Sequence, residues 1–245
     1  MKKTVMTAAL SVLLGALSVS VHAGAYEDME TAMIRRNSAT VIELIDRGMD
    51  VNTVDRGGDS LLIQAVREDM PELVDALLKR RARLDFRNRN GETAISIAAY
   101  LGKLDYVQRL AEAGARLDFA GWPPLVYAVF NNHPQVVEYL IKKGANINAK
   151  SETGATSLLL ASRSGETDMV KFLLQHHADP TIADQNGDTP IDVALKGDNK
   201  QIIELLREAG AHSDKNNEKS PETEKDREKG SEKNSDEDSA PEPKK

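Results

Sequence analysis

The sequence predicts an all-α solenoid of about six helix–turn–helix repeats joined by short β-hairpin-like connections. It is expected to lie between a cleavable leader and a charged tail. Three observations carry that prediction. First, a Gly-Ala landmark, or a near variant, recurs at Gly48-Met49, Arg81-Ala82, Gly114-Ala115, Gly144-Ala145, His177-Ala178 and Gly210-Ala211, with spacings of 33, 33, 30, 33 and 33 residues. A fixed period in this range is the signature of a repeat architecture. Second, four columns aligned on the landmark keep one kind of apolar residue throughout, two of them a single residue type. They are Leu44, Leu77, Leu110, Leu140, Leu173 and Leu206; Val41, Val74, Val107, Val137, Val170 and Ile203; Ala32, Ala65, Ala98, Ala128, Ala161 and Ala194; and Met29, Leu62, Ile95, Leu125, Leu158 and Ile191. Third, a turn glycine follows each landmark but the last, at Gly58, Gly91, Gly121, Gly154 and Gly187.

The elements follow in chain order. Met1-Lys2-Lys3 precedes a stretch without charge from Thr4 to Val21, which exits through Val21-His22-Ala23. A basic tip, an apolar middle and a small-x-small end read as a signal peptide cut after Ala23. The competing reading is a membrane anchor, since 18 residues at about 1.5 Å each nearly span a bilayer core. Within each repeat, the Ala column and the Met/Leu/Ile column stand three residues apart, on one face of a first helix. The small Ala lets a second helix approach closely. That helix carries the Val and Leu columns, also three apart, and the landmark Gly stops it, because Gly adopts positive φ readily. Past the turn, Ser60, Thr93, Thr156 and Thr189 are placed to cap the next helix, and Pro190 suits its first position. From Ser213 to Lys245 the only hydrophobic residue is Ala240, among 8 Lys/Arg and 11 Asp/Glu. Such a segment cannot offset its ordering entropy by burial and is expected to stay disordered.

Composition excludes several chemistries. There are no cysteines, hence no disulfide, thiol catalysis or Cys-based metal site. The formal charge is −7, and more negative without Lys2 and Lys3, which argues against nucleic acid as a partner.

The stretches NGDTPIDVAL…QIIELLREAGA (186–211), NGETAISIAAYLGKLDYVQRLAEAGA and TGATSLLLASRSGETDMVKFLLQHHA resemble the ankyrin repeat. The likeness covers residues 25 to 212 as repeats at about 25–52, 53–85, 86–118, 119–148, 149–181 and 182–212. The His of the family's Thr-Pro-Leu-His motif is missing; Ile63, Ser96, Val126, Leu159 and Asp192 take its places, and only Thr189-Pro190 keeps the Thr-Pro pair. Those departures put the capping hydrogen bonds in doubt, and leave the fold intact. The first unit lacks the turn and begins polar, as a terminal repeat must in water.

The resemblance implies a protein-binding surface on the concave face, lined by hairpin tips and the ends of the first helices. The residue after the turn Gly is Asp59, Glu92, Trp122, Ala155 or Asp188. The pair beginning two residues after the repeated Ala is Arg67-Glu68, Tyr100-Leu101, Phe130-Asn131, Arg163-Ser164 or Lys196-Gly197. Aromatic residues make up only 4% of the chain, yet Tyr100, Trp122 and Phe130 all fall in these variable columns. With Arg67, Arg89 and Arg163 beside them they are the candidate partner-binding residues, because rings and arginines dominate binding hot spots. Trp122 has a second reading: it could fold over the gap left by the shortened turn.

Catalysis is not expected. His176 and His177 are adjacent and diverge on a helix end, so with Asp179 they offer at most a weak metal site. No Ser or Asp sits at triad-like spacing from a His, and there is no Gly-rich phosphate loop. The expected protein is a monomeric, exported, periplasmic or secreted binding module for another protein, with no cofactor and no membrane insertion once its leader is removed. Two roles stand open: accessory to an exported enzyme such as a catalase, or inhibitor (immunity protein) of a toxin delivered to the periplasm.

Overall fold

The computed structural model describes residues 24–213. The leader expected at residues 1–23 and the tail beyond Ser213 lie outside the described residues. The chain divides into two units after Ala211, and every described helix belongs to the first.

That unit holds twelve helices among the described residues, in six antiparallel pairs. The first pair is α1 (24–34) and α2 (Ser38–Asp46). Then come α3 (Leu61–Arg67) with α4 (Pro71–Lys79), and α5 (Ala94–Tyr100) with α6 (Leu104–Glu112). They are followed by α7 (Pro124–Phe130) with α8 (Pro134–Lys142), and α9 (Ser157–Ser164) with α10 (Thr167–Gln175). The last pair is α11 (Pro190–Lys196) and α12 (Lys200–Glu208). First helices stack on first helices along the series α3, α5, α7, α9 and α11, and second helices form a parallel outer layer.

The two layers differ because their sequences differ. In α5, every residue but Tyr100 is buried, as suits a short helix enclosed by a partner behind it and neighbours on both sides. In α6, only Tyr106, Val107 and Leu110 are buried, a single stripe with polar residues opposite. All four repeated columns are buried in every repeat, and they join into one continuous core. Each core Leu contributes about 1.5–3 kcal/mol of burial. One hairpin cannot bury its own stripe, so the stack is the stable unit.

The repeated Ala and Leu also have a backbone role. The carbonyl of each Ala (32, 65, 98, 128, 161, 194) accepts the N–H five residues on, from Asn37, Met70, Lys103, His133, Glu166 and Asn199. The carbonyl of each Leu (44, 77, 110, 140, 173, 206) accepts from Met49, Ala82, Ala115, Ala145, Ala178 and Ala211. These close the helix ends, with a left-handed residue just inside each closing bond. The landmark supplies it six times: Gly48, Arg81, Gly114, Gly144, His177 and Gly210 all have positive φ. Arg81 (φ 57°) and His177 (φ 65°) bear the strain of a side chain in that region. Arg81→Gly is therefore expected to raise stability by about 0.5–1 kcal/mol, the strain relieved less the extra backbone entropy of Gly. Urea unfolding followed by circular dichroism measures it.

The tips are turns that approach a hairpin. Antiparallel bridges pair Val54 with Ser60 and Lys150 with Thr156. Four tips share one pattern: Asp55, Asn88, Ser151 and Asp184 each receive the N–H four residues later on the side chain. A second ladder joins consecutive repeats. Asn52, Asp85, Asp118 and Asn148 accept the backbone N–H of Arg83, Arg116, Asn146 and Asp179 at 2.8–3.0 Å. The caps expected at Ser60, Thr93, Thr156 and Thr189 all form. The doubt over the missing motif His resolves by residue. Ser96 and Asp192 complete reciprocal capping boxes with Thr93 and Thr189, while Ile63 and Leu159 follow a single cap bond. In the shortened repeat, Pro123 stands at the cap position and offers no side-chain bond.

Candidate partner-binding site

A residue two places after the repeated Ala is turned about 200° around the helix from it. Since Ala faces the core, that position faces solvent at the end of each first helix. Along the stack it holds Ile34, Arg67, Tyr100, Phe130, Arg163 and Lys196. The large exposed hydrophobic residues among the described ones are Ile34 (84%), Phe130 (51%), Tyr100 (42%) and Leu101 (38%). All four lie at this position or the next, so the exposed apolar surface is one row.

In repeats three and four the row becomes a ring cluster. Tyr100 meets Tyr127 edge to face, with centroids 5.5 Å apart and planes at 81°. Trp122 stacks on Tyr127 at 5.2 Å and 25°, and its edge region meets Phe130 at 6.1 Å and 75°. These geometries suit the ring quadrupoles. Trp122 is half-buried against the core, so it packs over the shortened turn and also carries the cluster; Tyr100 and Phe130 supply its exposed rings. Arg87 supports the shortened tip, stacking over Phe119 at 4.7 Å and donating to the Ala120 carbonyl at 3.0 Å.

The backbone beneath Tyr100 is clamped by the next repeat. Its carbonyl accepts from Asn131 Nδ2 at 2.7 Å and from His133 Nε2 at 2.9 Å. Gly102 (φ 68°) makes room, because a Cβ there would lie 2.5 Å from His133 Nδ1. His133 thus has a positioning role at the repeat junction.

The row's cations cross to acids of the tips. Arg67 pairs with Asp59 at 3.0 Å and approaches Glu92 at 3.7 Å; Arg163 pairs with Asp184 at 3.2 Å, and Lys196 with Asp188 at 2.6 Å. Asn88 Nδ2 donates to both Asp59 and Glu92 at 2.8 Å. Glu92 in turn accepts from the Tyr127 hydroxyl at 3.3 Å, which ties Arg67 to the rings. Arg89 lies over the preceding tip: a Cβ on Gly58 would meet its Cγ at 2.8 Å. Among the described residues, Arg89 and Arg163 make no ring contact, hydrogen bond or ion pair with the aromatic cluster.

Tyr127 and Ile34 are the two residues that sequence reasoning did not select. Tyr127 occupies a column shared with Gln64, Ile97, Leu160 and Val193, which has no pattern. Its place three residues before Phe130 on one helix face was the available signal. Ile34 stands two residues after Ala32, in a first unit without the tip that marks the others.

Burial, then Glu92, raises the Tyr127 phenol above its ordinary value; burial, then the hydrogen bond to Asp69, does the same for Tyr106. Both favour the neutral phenol in the folded state. Their stabilisation is whole below the unfolded value of about 10 and is lost as pH rises past it. In a base titration of phenolate absorbance, these two tyrosines are expected to ionise only as the helical signal is lost.

The His176 ring packs on Phe172 at 4.5 Å, and His177 holds the left-handed landmark position. The Asp179 carboxylate binds the Thr181 hydroxyl and N–H, which lowers its pKa. Among the described residues no cluster of three or more His, Asp or Glu is placed to hold a metal ion, and no helix is long and apolar enough to cross a membrane.

A family model described as ankyrin repeats (3 copies) matches residues 62–151 and 149–218. The chain is 31% identical over 203 residues to B-cell lymphoma 3 protein homolog of Mus musculus, covering 79% of this chain and 45% of that one. It is 28% identical over 183 residues to human SH3 and multiple ankyrin repeat domains protein 2, covering 72% and 10%. It is 34% identical over 136 residues to neurogenic locus notch homolog protein 1 of Danio rerio, covering 54% and 6%. The chain spans less than half the length of these relatives.

Proposed function

The chain belongs to the ankyrin-repeat family, and from that premise we propose that it is a non-catalytic protein-binding module whose contact surface is the row of first-helix ends centred on Tyr100 and Phe130. Ankyrin repeats act as protein–protein interaction modules. The observation that supports this particular surface is the gathering of Ile34, Tyr100, Leu101 and Phe130 along one side of the stack. Arg67 separates Ile34 from the rest, and Tyr100, Leu101 and Phe130 leave large apolar groups exposed together at the ends of two successive first helices, which marks a contact site. Trp122 supports the rings from its tip and Arg67 from the end of α3, while Arg89 and Arg163 belong to the rim of the contact. The unit is monomeric in this reading, with another protein as its partner.

An exported, periplasmic setting is part of the proposal, supported by the basic–apolar–small order of residues 1–23. Within it, the module serves an exported enzyme such as a catalase, or inhibits a toxin delivered there. The test is capture from periplasm on the immobilised chain, with identification by mass spectrometry. A partner displaced by soluble wild-type chain, but not by the Tyr100→Ala, Trp122→Ala double variant, supports the proposal. A partner displaced equally by both overturns the assigned surface. A catalase-like partner favours the accessory role, and a toxin-like partner the inhibitory one.

A further inference from the structure

Two carboxylates border the ring cluster. Glu92, on the tip of repeat three, holds the Tyr127 hydroxyl. Glu152, on the tip of repeat five, brings Oε1 within 3.6 Å of where a Cβ would stand on Gly121, the residue before Trp122. The Trp122 tip therefore lies between two acid-bearing tips. The row's cations on either side are already engaged, Arg67 by Asp59 and Glu92, and Arg163 by Asp184. Glu152 is exposed and makes no ion pair among the described residues. Ring faces are electronegative, and a cation over them gains more when carboxylates stand nearby and water is displaced. The chain's charge of −7 attracts a basic partner and repels an acidic one.

We propose that the cluster of Tyr100, Trp122, Tyr127 and Phe130 receives an arginine side chain from a basic, exposed segment of the partner protein. The guanidinium lies against the exposed rings of Tyr100 and Phe130, and Glu152 supplies the opposing charge. Arginine suits the site better than lysine, because a planar guanidinium stacks on rings while its edge donates to carboxylates. This inference rests on the reading of the row as the contact surface.

Trp122 is the only tryptophan of the chain, so its fluorescence reports on the cluster. The probe is the peptide acetyl-(Gly-Arg)4-amide, with citrulline and glutamate versions of equal length beside it. The arginine peptide is expected to change the Trp122 emission saturably, and the other two are not. Glu152→Gln, an exposed change that leaves the core intact, is expected to weaken the arginine peptide about threefold or more, and added salt to act likewise. The proposal is overturned if the citrulline peptide responds equally, if the arginine peptide gives no saturable change, or if Glu152→Gln leaves the midpoint unmoved. If the arginine peptide fails while partner capture still depends on Tyr100 and Trp122, this inference alone falls. If capture is independent of them as well, the contact surface falls with it.

Discussion

Leu110→Asp is expected to remove at least about 4 kcal/mol of stability and to leave the purified chain largely unfolded. Leu110 is fully buried in the middle of the stack, in the outer helix of repeat three. A carboxylate there has no partner and must either be buried charged or take up a proton, and both cost free energy. The effect spreads beyond one repeat. Helices α5 and α6 contact their counterparts in the next repeat, so loosening repeat three also removes an interface from its neighbour. Leu110→Met, which conserves volume, is expected to cost less than about 1.5 kcal/mol. Urea unfolding followed by circular dichroism compares the two. Equal midpoints for Leu110→Asp and wild type would contradict a continuous core through this position.

The double variant Tyr100→Ala, Trp122→Ala is expected to weaken partner binding about 30-fold or more while keeping the helical signal. Each ring truncated at a contact centre removes about 1.5–3 kcal/mol of burial. Tyr100 presents its ring directly, and Trp122 holds Tyr127 and Phe130 in place. Trp122 is half-buried, so this variant also loses local packing, and a modest fall in unfolding midpoint is expected. Tyr100→Ala with Phe130→Ala separates the two effects, because both of those rings are exposed. Titration calorimetry with the captured partner gives the affinities, and thermal melts give the stabilities.

Most of the frame was legible because it repeats. A Leu that recurs six times at one offset has one structural meaning, and the helices, the left-handed stops and the Ser/Thr caps follow from it. The backbone role of the repeated Ala was not legible, because a carbonyl hydrogen bond leaves no residue-type signal of its own. The ladder of Asn52, Asp85, Asp118 and Asn148 did carry a signal, an Asx every 33, 33 and 30 residues, masked by the many other Asp and Asn of the turns. The exposure of Tyr100 and Phe130 followed from their offset to Ala98 and Ala128. Their linkage through Tyr127 did not, because it depends on how the shortened turn lays Trp122 across the next helix. Arg89 and Arg163 were grouped with the rings by proximity in the repeat pattern, yet side-chain length and the nearby acid Asp184 draw Arg163 aside, and Arg89 lies along Gly58.

Photo-crosslinking tests most directly whether the row after the repeated Ala is the working surface while the outer layer only packs. A benzophenone amino acid is placed at Phe130 or Tyr100, and at Lys142 on the exposed side of α8. The expected result is a crosslink to the partner from Phe130 and Tyr100 and none from Lys142. Crosslinks from Lys142 with none from Phe130 or Tyr100 would contradict it.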